Sequence, residues 1–188
     1  SSKKKKVKET RRWWQTNKCK DICKMISQQQ IKKEIRDWSK EVLETKEPVC
    51  PFAKKTWETQ RVDIILSKCT YWNDLIDIGN DFPSNKDVVI YCDTNMDMDM
   101  FHFDSRISML NSFLNPVNLW VMGFHQDHEE KDVVAQEHFV PHFEESYNML
   151  FMQRLDELNK ASETLEKIGY YNNWNQEDFQ NILNRRSK

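Results

Sequence analysis

A thiol beside a proline, followed by two lysines, is the first place where this chain could do chemistry: Cys50-Pro51-Phe52-Ala53-Lys54-Lys55. Proline suits the first turn of a helix, because its missing N–H would have had no partner there. A cysteine just before it would sit at the N-cap, against unpaired backbone N–H groups and the positive end of the helix dipole. That setting, with Lys54 and Lys55 in the first turns, lowers a thiol pKa and favours the nucleophilic thiolate. Lys54 would also be placed to contact an anionic substrate. The plainer alternative is a buried cysteine with Phe52 as an apolar anchor.

The second place is the stretch that holds His125, Asp127, His128, His138 and His142. His125 and Asp127 follow an apolar run and fit the roles of acid/base and orienter. Read as ligands instead, His125, His128, His138 and His142 could hold Zn or Fe, with Asp127, Glu129 or Glu137 as oxygen donors. A polar loop of surface histidines is the alternative. Alternating Met and Asp over Asn95–Met100 invites copper through thioethers, against the simpler account of a loop with apolar anchors. Arg154, set in an apolar periodic stretch, is a candidate anion clamp or a surface ion-pair partner.

Such side chains need elements to hold them, and the hydrophobic periods supply some. Spacings of three and four over 17–45 predict a helix broken near Pro48. Short apolar runs at 61–67, 87–93 and 118–125, rich in β-branched and aromatic residues, read as buried strands. Helical stretches at 71–82 and 100–114 separate them, the second ended by Asn115-Pro116. A long helix is expected over 143–168 with Gly169 as its stop, and Asn175 should cap a last short helix. The fold class is therefore α/β: a small three- or four-stranded sheet with strand–helix repeats, flanked by N- and C-terminal helices. Parallel crossovers are the simplest packing, with a ferredoxin-like mixed sheet as the alternative.

Length and charge narrow the function. The chain has 188 residues, which suits a basic tail over 1–16 and a single domain over 17–188. Residues 1–12 carry seven Lys or Arg against Glu9 alone and read as a solvated tail rather than a nucleic-acid contact. The net charge of −2 argues against a nucleic-acid-binding domain. No apolar run approaches the roughly 20 residues that span a bilayer, and no apolar stretch follows the basic start as in a secretory signal. Five cysteines at irregular spacing read as reduced thiols of a cytoplasmic protein.

Three segments together resemble a known family. They are Cys50-Pro51-Phe52-Ala53-Lys54, Phe124-His125-Gln126-Asp127, and Ser146-Tyr147-Asn148-Met149-Leu150 with Arg154 beyond. An uncharacterised family of small bacterial proteins is similar, with a Leu-Cys-Pro-Phe-Ala motif and a Ser-Phe-His-Pro-Asp-Tyr segment. The likeness spans roughly residues 32–168; Gln126 stands where the family has proline and His128 where it has tyrosine. It implies that Cys50, Pro51, Phe52, His125, Asp127 and Arg154 hold the motif positions, and it implies no reaction. The expectation drawn from all this is a small cytoplasmic enzyme-like domain acting on a small anionic substrate by thiol-dependent transfer or redox chemistry. Cys50, His125 and Asp127 would be catalytic, with Lys54 and Arg154 binding the substrate. A histidine metalloprotein and a non-catalytic interaction module are the alternatives.

Overall fold

The β-branched and aromatic runs become strands of one open sheet in a computed structural model that describes residues 28–44, 50, 52–68, 71–126 and 147–187. The basic tail, Cys19, Cys23, Pro51, Cys69, Asp127, His128, His138 and His142 lie outside the described residues. The chain divides at Asp37–Trp38 into two units. Of the first, residues 28–37 of helix α1 (Gln28–Trp38) are described, braced along their surface by Gln30–Glu34 and Lys33–Asp37 contacts one turn apart, while Trp38 belongs to the second.

The second unit is the α/β body. A π-helical turn (Ser39–Leu43) leads to the short helix α2 (Ala53–Glu58) and strand β1 (Val62–Ser67). Helix α3 (Trp72–Asn80), strand β2 (Val88–Asp93), helix α4 (Met100–Leu114) and strand β3 (Leu119–Phe124) follow. Strand β4 (Asn148–Arg154), helix α5 (Leu155–Lys167) and helix α6 (Gln176–Arg186) complete it. The strand order is β1-β2-β4-β3. β1 and β2 are parallel, and β4 runs antiparallel to both β2 and β3, so β1, β2 and β3 share one direction.

One expectation fails here. The stretch from 143 to 168 is not a single helix: its part from Asn148 to Arg154 is the strand between β2 and β3, and the helix begins at Leu155. Met149, Leu150, Phe151 and Met152 are all buried, because β4 is covered on both faces. A strand buried on both sides reads as a continuous apolar run, and its Leu and Met residues favour helix when taken alone. The remaining elements fall where the periods put them. Gly169 ends α5 with φ +78°, and the Asn175 side chain accepts the N–H groups of Glu177 and Asp178 to start α6.

Alternation along the strands divides the sheet into two faces. On the crossover face, Val89, Tyr91, Leu119, Val121, Leu150 and Met152 pack with Leu75 of α3 and with Phe103, Leu110 and Leu114 of α4. α4 lies so close that a Cβ on Gly123 would clash with the Ile107 side chain. Asn111 of α4 also closes the edge strand, since its amide donates to Val121 O and accepts from Val121 N. The opposite face carries Ile90, Cys92, Trp120, Phe124, Met149 and Phe151, and we call it the Trp120 face. Trp38 packs edge-on against Phe124 there, 4.9 Å between ring centroids, and against Phe151. No helix among the described residues is long and apolar enough to cross a membrane.

Candidate functional site

His125 sits where an open α/β sheet usually does its chemistry, beyond the carboxyl ends of the parallel strands. It follows β3 by one residue, and the Phe124–Met149 pairing puts it beside Asn148. Asn148 faces Asp93 on β2, and Asp93 faces Ser67 on β1, so one polar row crosses the sheet. His125, Asp93 and Asn148 are only 5%, 4% and 3% exposed.

Each member of this row is engaged. His125 Nε2 donates to Met98 O at 2.7 Å, and its ring lies 5.1 Å from that of Phe103. Asn148 accepts Gln126 N and donates to Met96 O, while Asp93 accepts Asn95 N. The row therefore pins the Met–Asp segment over the end of the sheet. Asp99, from that same segment, caps α4 through His102 N and also bonds the His102 ring, which holds the Asp99 carboxyl below its ordinary value.

Cys50 lies elsewhere. Its N–H bonds Leu43 O, and a short relay fixes that turn: Trp57 Nε1 donates to Ser39 Oγ, which donates to Glu44 Oε1. The N-cap of α2 is Phe52, so Cys50 precedes the helix by a turn instead of capping it. Burial pushes the Cys50 thiol up; the N–H groups of Phe52 and Ala53 pull it down by less, and Glu44 adds to the upward push. The expected lowering is reversed, because six residues of helix give a weak dipole while the sulfur is shielded from water. Lys54 is exposed, at 4.0 Å from Glu58.

The neighbours of Cys50 are Tyr170 and Tyr171, close enough for a charge on its sulfur to act on both phenols. Tyr171 stacks on Phe179 at 4.2 Å and interacts with Ser162, and Ser162 Oγ accepts Arg186 Nη1 at 3.1 Å. The Arg186 guanidinium lies 5.7 Å from the centre of the Trp120 ring. Cys50 thus belongs to the Trp120 side of the sheet and His125 to the crossover side. Arg154 is at a third place. It pairs with Leu119 at the start of β3, six residues from His125, or roughly 20 Å along a strand. There it donates to Pro83 O and covers the Phe82 ring at 4.9 Å. The sheet and its length keep Cys50, His125 and Arg154 from gathering at one reacting centre.

Arg186 and Gln153 carried no sequence motif. Burial pulls the Arg186 guanidinium down to about 10, Tyr171 acts in the opposite direction and Arg185 repels it; no carboxylate among the described residues pairs with it. Its Nε and the Nε2 of Gln153 are buried donors without an acceptor among the described residues. Gln153 is the cross-strand neighbour of Trp120, so both donors flank one indole. For a metal, no group of three or more His, Cys, Asp or Glu able to hold one occurs among the described residues. No protein-family model, curated protein or solved structure matches the chain.

Proposed function

We propose that this domain binds a small anionic ligand on the Trp120 face of its sheet, with Arg186 as the charged contact. One observation carries the reading: Arg186 is a half-buried cation with no carboxylate beside it among the described residues. A buried charge without a counter-charge is costly, and an anion that seats against it recovers part of that cost. Ser162 and Tyr171 orient the guanidinium, and Trp120 supports its plane. Cys50, with its thiol held protonated, borders the cluster as a neutral neighbour. The anionic substrate expected from the sequence is kept, and its binding place moves from Lys54 and Arg154 to Arg186. We place the protein in the cytoplasm, with its thiols reduced.

Thermal unfolding in acetate, sulfate and phosphate, each matched in ionic strength by sodium chloride, tests the reading. A bound anion at about 100 times its Kd adds about 2.7 kcal/mol, which moves the midpoint by several degrees. The shift should disappear in Arg186→Met. Equal midpoints in all salts, or a shift that survives the substitution, would remove the reading.

A further inference from the structure

We propose that the outer edge of β1 is a pairing surface for β1 of a second copy of this chain, and that Asp63 holds it closed. Arg61 O accepts Val88 N and Ser67 O accepts Thr94 N, so Arg61, Asp63, Ile65 and Ser67 turn their peptide groups toward β2. Val62, Ile64 and Leu66 alternate with them and turn theirs outward. β1 stands at the end of the strand order, with no strand beyond it among the described residues. Its residues are half-buried throughout, whereas β2 is buried from Val89 onward. A row of outward peptide groups on an apolar edge strand is a template for another strand. One of these groups is already taken, because Ile64 N donates to Asp63 Oδ1 at 2.9 Å. Asp63 lies on the crossover face in line with Ile65, and a charge on the core-facing side of an edge strand opposes pairing.

The contrast between the two edges of the sheet selects the occupant. On β3, Asn111 takes both Val121 N and Val121 O, so a β1-to-β3 contact, which would add copies without limit, is obstructed. A β1-to-β1 contact closes after two copies. With antiparallel strands and a two-fold axis at Ile64, Val62 exchanges hydrogen bonds with Leu66 of the second copy, and Ile64 with its own counterpart. Asp63 opposes this arrangement twice. Its carboxylate occupies the N–H at the axis, and the two carboxylates would stand diagonally across that axis, about 7–8 Å apart, where like charges repel.

Sedimentation of the full chain and of Asp63→Val at pH 7 tests the proposal. Asp63→Val should dimerise at least about tenfold more tightly than the unaltered chain, as for one hydrogen bond to a charged group released for pairing. Adding Ile64→Pro removes the N–H at the axis, which the β1–β2 ladder does not use, and should restore the weak association of the unaltered chain. Equal association of the unaltered chain and Asp63→Val would overturn the proposal, and so would a dimer that survives Ile64→Pro. Amide exchange in the unaltered chain decides the matter if Asp63→Val does not fold. The Ile64 N–H should exchange more slowly than those of Val62 and Leu66, and equal rates at the three positions would overturn the proposal.

Discussion

The carboxyl end of the crossover face and the amino end of the Trp120 face both bury polar groups, yet they treat them in opposite ways. At the first, Asp93, Asn148 and His125 form a row in which each side chain meets a backbone partner, and together they hold the Met96–Asp99 segment in place. At the second, a guanidinium nitrogen and a side-chain amide nitrogen are buried without acceptors among the described residues. Burial of polar groups is thus a weak guide to function until hydrogen bonds are counted. A satisfied row rigidifies the fold, whereas an unsatisfied pair costs stability that a ligand can return. The histidine expected to be catalytic lies in the satisfied region, and the donors without acceptors among the described residues lie in the region the sequence had not singled out.

The thiols give the largest effect by which that contrast can be sharpened. Cys92 projects from β2 on the Trp120 face, is fully buried, and is pushed up to about 12 by burial, with Asp93 adding to the rise. Cys50 moves in the same direction for the same first cause. In native protein at pH 7, iodoacetamide should spare Cys92 and label Cys50 more slowly than a free thiol, with the Cys50 rate climbing about tenfold per pH unit. Labelling of Cys50 faster than a free thiol at pH 7 would restore the activated-thiolate reading. Both thiols keep their protons longer folded than unfolded, so their contribution is complete below the unfolded value near 9. It is lost as pH rises from there, at about 1.4 kcal/mol per unit for Cys92 until about 12.

Two amides on one strand offer the next effect. Asn148 and Gln153 both belong to β4, but Asn148 bonds Gln126 N and Met96 O while Gln153 Nε2 has no partner among the described residues. Asn148→Leu leaves two backbone groups unpaired and should cost about 1–3 kcal/mol in urea unfolding. Gln153→Leu conserves volume and removes an unsatisfied donor, so the change should stay within about 0.5 kcal/mol of zero or be favourable. Equal costs at the two positions would show that the two regions do not differ as described.

Much of the architecture was legible because it depends on local rules. The runs at 61–67, 87–93 and 118–125 carry strand residues between turn formers, and Asn175 and Gly169 mark helix ends by their own chemistry. β4 was not legible, since a strand covered on both faces loses the alternation that distinguishes it from a helix. That miss hid the site as well. Read as a strand, 148–154 puts Gln153 in line with Met149 and Phe151, a polar residue in an apolar row. Arg186 is 33 positions further on, and only the packing of α6 against Trp120 brings it near. The grouping of Cys50, His125 and Arg154 rested on motif likeness, which says nothing of which face or end of a sheet a residue occupies.

The central claim is that Arg186 is a half-buried charge with no counter-charge among the described residues, and the stability of Arg186→Met without added anions tests it most directly. Methionine fills similar space over Trp120 and carries no charge to desolvate. Replacing an uncompensated buried charge by an apolar side chain of like volume is neutral or stabilising. Urea unfolding at pH 7 in a chloride buffer should therefore give Arg186→Met a stability equal to or above that of the unaltered chain. A loss of about 3 kcal/mol or more, the usual result of breaking a compensated buried pair, would contradict the account.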